Sequence, residues 1–172
     1  MNHDTYSDDY IRGILNKHKS FAVVGASANT VRPSYFVVKY LLDKGYRVLP
    51  VNPGMAGKKI LDQDVFGSLQ AIERPVDIVD VFRNSDAALQ ITKDAIEIGA
   101  KVVWMQLGVR NDEAAKLAED AGLKVVMNRC PKIEYARLSG EIGWAGINSR
   151  TISSARPKLA TKGIQHRVLR DN

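Results

Sequence analysis

"VVGASANTVRPSY", residues Val23 to Tyr35, joins an apolar run to the start of a helix through a turn with a single glycine. The apolar residues 21–24 have the length of a short buried strand, and Gly25 permits a tight turn after it. Pro33 suits the first turn of a helix, because its fixed φ is helical and its missing N–H would have no partner there. The stretch therefore predicts a strand, a loop and a helix in direct succession.

The same alternation continues along the chain. Helices are predicted over about 8–17 (with Ser7 as N-cap), 34–44, 85–98 and 111–121. Strands are predicted over 21–24, 46–51, 76–82, 101–106 and 123–127, with a short edge strand somewhere in 58–66. Strands that alternate with helices are typical of a mostly parallel sheet covered by helices on both faces. The sequence therefore predicts an α/β fold of the Rossmann-like, doubly wound type.

Length and composition place the chain among globular proteins with one main domain. It has 172 residues, of which 45% are hydrophobic and 26% are charged. A single cysteine cannot form an internal disulfide, and no apolar run is long enough to cross a membrane. The acidic N-terminus does not resemble a signal peptide. We therefore expect a cytoplasmic protein that does not contact membranes.

The net charge of +6 is concentrated at the C-terminal end. Residues 150–172 hold six Lys or Arg and one acid, so residues 1–149 are close to neutral. We expect a folded domain over 1–149 and a basic extension over 150–172. Such a segment can touch phosphate on a nucleic acid, a ligand or another subunit. It lacks interleaved aromatic residues, which disfavours nucleic acid and favours a solvated or subunit-contacting extension of a homodimer or another complex.

The loop after the first predicted strand is suited to phosphate. A dinucleotide fingerprint, G-x-G-x-x-G, would need three glycines, and only Gly25 is present. Backbone N–H groups of residues 26–29 and the side chains of Ser27 and Asn29 can still hold an anion, to which Arg32 adds a two-pronged cation. The alternative is an ordinary tight turn beside an arginine that pairs with a surface acid.

The loop after the second strand, "VNPGMAGKK", lacks the acid that binds the ribose hydroxyls in NAD-binding domains. It has Asn52 and Pro53 in that place, followed by Lys58 and Lys59. Lysines without an acid favour a ribose that carries a phosphate, as in NADP or coenzyme A. The alternative is a proline-glycine turn with two solvated lysines.

Six segments at the predicted strand ends stand out: "VVGAS", "RPSY", "YRVLPVNP", "VDIVDVFR", "GAKVVWMQLGV" and "VVMNRCPKIE". Together they resemble the small CoA-binding-domain family, which is similar in fold to the N-terminal domain of the succinyl-CoA synthetase α subunit. The resemblance covers about residues 8–140 and every predicted strand end. It implies a stand-alone domain whose ligand is CoA or an acyl-CoA.

The resemblance also implies roles for individual residues at the strand ends. Contacts to the diphosphate fall on Gly25, Ala26, Ser27 and Arg32, with Asn29 and Pro33 in the same loop. The adenosine falls beside Val51, Asn52 and Pro53, and its 3′-phosphate beside Lys58. The pantetheine arm falls along Phe82, Arg83, Gln106, Leu107 and Gly108. The last loop, with Asn128 and Cys130, departs from the synthetase pattern, because Arg129 replaces a proline and Lys132 a glycine.

No catalytic machinery is evident in the sequence. The synthetases pass a phosphoryl group through a histidine of a second domain, whereas His3 and His18 precede the predicted sheet and are expected at the surface. Asp77 and Asp80 face opposite sides of a strand and are expected to make hydrogen bonds at a sheet end. Cys130 is expected to be packed and inert rather than a reactive thiol. The sequence thus favours a binding protein, with an NADP-dependent oxidoreductase or a nucleotide-binding regulatory protein as the alternatives.

Overall fold

The computed structural model describes residues 1–141, and Met1–Lys132 form one compact unit. The helices are α1 (Asp8–Lys17), α2 (Pro33–Asp43), α3 (Ser85–Glu97), α4 (Asp112–Asp120) and α5 (Pro131–Ser139). The strands are β1 (Ser20–Val24), β2 (Arg47–Val51), β3 (Lys59–Ile60), β4 (Gln63–Asp64), β5 (Ile78–Val81), β6 (Val102–Met105) and β7 (Lys124–Val126). The predicted domain end at residue 149 and the basic segment 150–172 lie outside the described residues.

Five parallel strands form the main sheet in the order β2-β1-β5-β6-β7. The chain runs from β1 outwards to β2 and then returns to the other side of β1 with β5. This reversal separates the loops that follow β1 and β5, and such a point opens a crevice at the carboxyl ends of the strands. The arrangement confirms the predicted Rossmann-like α/β fold.

Helices cover the sheet, which explains why its strands are apolar on both faces. On one face, Val79 and Val81 of β5 belong to a buried cluster with Ala88 of α3 and Ala115 of α4. Side chains alternate along a strand, so Asp80 points to the opposite face. All four residues of β5 are buried, so the middle of the sheet is shielded from water on both faces.

The N-terminal segment protects the free edge of β7. The Tyr6 hydroxyl accepts a hydrogen bond from the Met127 N–H (2.7 Å), and the Tyr10 hydroxyl accepts one from the Val125 N–H (3.2 Å). Tyr10 also donates to the Val125 carbonyl (3.1 Å). These bonds occupy backbone groups that an edge strand would otherwise leave open to pairing with another chain.

The prediction that His3 and His18 lie at the surface is wrong, because both side chains are buried. His3 Nδ1 lies 2.9 Å from the Tyr6 hydroxyl, within the segment that covers the sheet edge. His18 Nδ1 lies 3.9 Å from the Asp77 carboxylate. Burial lowers the pKa of both imidazoles, so both are neutral near pH 7.

Two further elements differ from the sequence-based expectation. The segment 58–66 forms a separate antiparallel hairpin of β3 and β4, while Phe66 makes a parallel bridge to Val51. The sequence does not predict helix α5, because its apolar residues do not repeat with a helical period. An ion pair between Glu134 and Arg137 (2.7 Å) links residues one turn apart in it. None of the helices in residues 1–141 is long and apolar enough to span a bilayer.

Candidate functional site

A cleft of about 420 Å³ opens at the carboxyl ends of β1 and β5, where the strand order reverses. It is bordered by the loop after β1, the first turn of α2 and the loop after β5. The lining residues are Gly25, Ser27, Arg32, Pro33, Ser34, Phe82 and Arg83. The sequence singled out all of these except Ser34, which follows Pro33 on the first turn of α2. The fold thus gathers residues from two distant loops into one cavity.

Gly25 holds the floor of this cleft in a conformation that other residues rarely adopt. Its φ is +92°, and its N–H donates to the Val51 carbonyl (2.9 Å). A Cβ at this position would lie 3.1 Å from Arg83 Cδ and 3.3 Å from the backbone carbon of Phe82. The backbone angle favours glycine, and a Cβ here would require Arg83 and the Phe82 backbone to shift by a few tenths of an ångström.

The loop after Gly25 is shaped by its own polar side chains. Ser27 Oγ accepts from the Asn29 N–H (3.1 Å), and Asn29 Oδ1 accepts from the Val31 N–H (3.0 Å). The side-chain oxygens of Ser27 and Asn29 thus act as acceptors inside the loop. The Ser27 hydroxyl proton and the Asn29 NH₂ remain as donors. The side chain of Ala26, in the same loop, is buried, so only its backbone can face a ligand.

The rim of the cleft is positively charged. Arg32 is the N-cap residue of α2 but makes no side-chain bond to the first turn, whereas Asn84 and Asn111 cap α3 and α4. Neither Arg32 nor Arg83 makes an ion pair with any residue that the structure describes. At this helix start Pro33 has no N–H and the Tyr35 N–H donates to the Arg32 carbonyl (3.0 Å), so the start of α2 contributes mainly its partial positive charge. Two unpaired guanidinium groups beside it make the cleft suited to an anion.

Asn52 joins the loops after β1 and β2. Its Nδ2 donates to the Ala26 carbonyl (2.7 Å), and its Oδ1 accepts from the Gly54 N–H (2.9 Å). These bonds use the oxygen of the side chain and one of its protons. Asn52 therefore holds the first loop in place, which the sequence did not indicate.

The remaining residues predicted after β2 lie at different depths. Val51 is buried in the core, and its carbonyl accepts the Gly25 N–H at the carboxyl edge of the sheet. Pro53 is exposed and begins a short 3₁₀ turn, Pro53–Met55. Lys58 is exposed beyond this turn, and it makes no ion pair within residues 1–141. None of the three lines the 420 Å³ cleft.

The loops after β6 and β7 are bonded to each other. The Gly108 N–H donates to Asn128 Oδ1 (2.8 Å), and the Asn128 N–H donates to the Val109 carbonyl (3.2 Å). Gly108 and Asn128 both have positive φ, +78° and +52°. Leu107, which precedes Gly108 in the loop after β6, has 57% of its surface exposed. This second group of predicted residues borders the same edge but does not line the cleft.

Residues 19–136 match the family described as a CoA binding domain. The chain belongs to the CoA-binding domain family. This confirms the resemblance seen in the sequence, and the match extends over all seven strands and helices α2 to α4.

Relatives and solved structures agree with this membership. The Bacillus subtilis (strain 168) protein YneT is 37% identical over 126 residues, which are 73% of this chain and 92% of that protein. A hypothetical protein from Pyrococcus horikoshii OT3 is 40% identical with a TM-score of 0.76, covering 81% of this chain and 97% of that one. A dinucleotide-forming acetyl-coenzyme A synthetase 1 from Ca. Korarchaeum cryptofilum has a TM-score of 0.58 at 21% identity. This last likeness covers 71% of this chain and 28% of the synthetase and concerns the fold alone.

The acids just before and within strand β5 of this CoA-binding domain have different surroundings. Asp77, just before the strand, accepts from the Lys19 N–H (3.0 Å) and from the N–H and hydroxyl of Ser20 (3.1 and 2.8 Å). Burial alone would raise the pKa of Asp77, but these hydrogen bonds lower it. The predicted hydrogen bonding at a sheet end is therefore confirmed for Asp77.

The same prediction is wrong for Asp80, which lies inside β5 and is fully buried. Its neighbours across the sheet are Val23 of β1 and Trp104 of β6. Its hydrogen-bond partner is Gln106, whose Nε2 lies 3.0 Å from both carboxyl oxygens. Burial raises the pKa of Asp80 to about 8, although the bond from Gln106 acts in the opposite direction. The acid within the apolar run "VDIVDVF" was the signal for this group.

Cys130 is buried, in agreement with the prediction that its thiol is packed. It comes directly after Arg129, whose carbonyl accepts from Trp104 Nε1 (2.8 Å). Within the part of the chain that the structure describes, no cluster of three His, Cys, Asp or Glu side chains is arranged to hold a metal.

Proposed function

We propose that this domain binds coenzyme A or an acyl-CoA, with the diphosphate in the cleft between the loops after β1 and β5. The observation that carries the proposal is the pairing of two arginines, Arg32 and Arg83, with the uncapped start of α2 at the strand-order reversal. Backbone N–H groups and guanidinium forks are the donors that bind diphosphates most effectively. Membership of the CoA-binding domain family supports the choice of ligand.

The adenosine end of the ligand is assigned to the loop after β2. This loop has no carboxylate at the end of the strand that could hold unmodified ribose hydroxyls, as a NAD site requires. Pro53 offers an apolar surface beside the edge, and Lys58 offers a cation without a competing partner among the described residues. We therefore assign the 3′-phosphate to Lys58, while Asn52 positions the neighbouring loop.

The pantetheine arm is assigned to the edge that runs from the cleft towards β6 and β7. Phe82 is half-buried in the cleft wall and provides apolar contact at its beginning. The next part of the carboxyl edge is the loop after β6, with Gln106, Leu107 and Gly108. The loop after β7, with Asn128 and Cys130, lies beyond it. This order follows the strand order β5-β6-β7.

We propose a binding role rather than catalysis for this site. The cleft lining consists of glycine, serine, arginine, proline and phenylalanine. General acid–base catalysis needs a group that exchanges a proton near neutral pH, and nucleophilic catalysis needs an activated nucleophile. The cleft lining supplies neither, which also disfavours an NADP-dependent oxidoreductase.

Calorimetric titration with four ligands, CoA, dephospho-CoA, NAD and NADP, tests the assignment. CoA should bind most tightly, dephospho-CoA more weakly because Lys58 loses its phosphate, and NAD weakest of all. NADP provides the comparison for the oxidoreductase alternative. Equal affinity for NAD and CoA would overturn the proposed function.

Arg32 provides the matching test of the diphosphate position. Arg32→Ala should lose a charge-assisted hydrogen bond, which corresponds to a roughly ten- to hundredfold weaker affinity for CoA. Arg32→Lys should recover only part of the loss, since an ammonium cannot make the two-pronged contact. Arg74→Ala, at an exposed arginine ahead of β5 and away from the cleft, serves as the control and should bind CoA normally. Unchanged affinity in a folded Arg32→Ala variant would remove Arg32 from the site.

A further inference from the structure

The buried pair of Asp80 and Gln106 lies directly beneath the carboxyl edge of the sheet. Gln106 is the first residue after β6, and its backbone N–H donates to the Val81 carbonyl (3.2 Å). Its side chain turns back towards Asp80, so that one end of the amide lies 3.0 Å from both carboxyl oxygens. The other end, Oε1, accepts no hydrogen bond within the described residues and is not among the buried polar atoms without a partner, so it reaches solvent.

The chemistry of the two groups links the proton on Asp80 to the orientation of the amide. An ionised carboxylate only accepts hydrogen bonds, so the amide must turn its NH₂ inwards and its oxygen towards the edge. A protonated carboxyl has a hydrogen to donate, and Gln106 is the one side chain in the described residues that bonds to it. The amide oxygen must then turn inwards, and the NH₂ faces the edge.

We propose that Asp80 is a positioning residue, and that the proton it carries decides whether Gln106 offers a hydrogen-bond donor or acceptor to a ligand at the carboxyl edge. The proposal rests on the function proposed above, since it concerns the edge assigned to the pantetheine arm. That arm contains amide groups, whose carbonyls accept and whose N–H groups donate hydrogen bonds. The two forms of Asp80 therefore present different partners to the arm, and the affinity for it should change as Asp80 titrates.

The surroundings of Asp80 leave Gln106 as its main polar influence. Across the sheet it faces Val23 and Trp104, and no charged group within residues 1–141 contributes to its titration. Burial raises the pKa of this carboxyl to about 8. The structure has the arrangement of the ionised form, with the Gln106 NH₂ turned inwards. Near pH 7 the protonated form predominates, and the arrangement with NH₂ inwards becomes dominant as the pH rises above 8.

Nuclear magnetic resonance on the ligand-free protein tests the coupling directly. We expect the Asp80 carboxyl ¹³C shift and the Gln106 side-chain ¹⁵N shift to titrate together between pH 6 and 10. In Asp80→Asn, the Gln106 signal should no longer depend on pH. Asp43→Asn, which removes an exposed acid at the far end of α2, should leave the coupled titration intact. A Gln106 signal that does not follow Asp80, or an Asp80 carboxyl that does not titrate in this range, would overturn the proposal.

Binding of acetyl-CoA, which has no ionising thiol, tests the consequence for the ligand. Exchanging a hydrogen-bond donor for an acceptor at Gln106 should change the affinity of the wild type about three- to tenfold between pH 7 and pH 9. Asp43→Asn should show the same change, and Asp80→Asn should show none. If the wild type and Asp80→Asn change equally with pH, the proposal is wrong. If acetyl-CoA binds at neither pH while the two signals titrate together, the proposed function fails and the coupling of Asp80 to Gln106 stands.

Discussion

Replacing Gly25 by alanine should damage both the fold and the cleft, for two separable reasons. The φ of +92° is unfavourable for an L-residue, which costs about 1–2 kcal/mol. The new Cβ would also lie 3.1 Å from Arg83 Cδ and 3.3 Å from the Phe82 backbone, closer than ordinary contact. Relieving these close contacts requires the Arg83 side chain and the Phe82 backbone to shift by a few tenths of an ångström, and we expect a further cost of about 1–3 kcal/mol.

Gly45→Ala is the matched control for the backbone angle alone. Gly45 follows α2 with a φ of +81°, and a Cβ there would meet no atom within 4 Å. We expect urea denaturation, followed by circular dichroism without ligand, to show a loss of about 1–2 kcal/mol in the free energy of unfolding for Gly45→Ala. Gly25→Ala should lose about 1–3 kcal/mol more than this control.

Ligand binding separates the two positions further. Because Phe82 and Arg83 line the cleft, Gly25→Ala should weaken CoA binding by about tenfold or more, given the sensitivity of a charged contact to position. Gly45→Ala should bind CoA like the wild type. Equal losses of stability in both variants, or normal CoA binding by Gly25→Ala, would refute the argument that the β5 loop approaches too closely for a side chain.

Three other expectations follow from the structure. The pKa of Asp80 is raised by burial from 3.8 to about 8, so the folded state holds its proton more tightly and stability should fall as the pH rises from 4 to 8, by up to about 1.4 kcal/mol per pH unit. In urea denaturation, Asp80→Asn should therefore be more stable than the wild type at pH 9, with the difference disappearing near pH 4. Tyr10→Phe should lose about 1–3 kcal/mol of stability because both backbone groups of Val125 lose a partner, whereas Tyr35→Phe should lose little. Deleting residues 153–172 should leave the CoA affinity within a few-fold in calorimetry; a hundredfold loss would show that the basic segment takes part in binding.

Much of the architecture was predictable because its signals are local. Apolar runs of strand length, caps such as Ser7 and turn glycines such as Gly25 act over a few residues, and they located the strands and the helices α1 to α4. The loops at the carboxyl ends followed from the rule that parallel strands present these ends at one edge. Helix α5 escaped prediction because its apolar residues do not repeat with a helical period.

The sequence by itself therefore determined the order and type of the elements and the polar loops between them. The tertiary structure alone decided which of these loops meet, because the order β2-β1-β5 depends on contacts between residues far apart in the chain. It also decided the surroundings of individual polar groups: Asn52 bonds the loop after β1, His3 is buried within the N-terminal segment, and Asp80 is enclosed by its neighbouring strands. Such burial cannot be read from local sequence, since the water around a side chain is removed by residues distant from it in the chain.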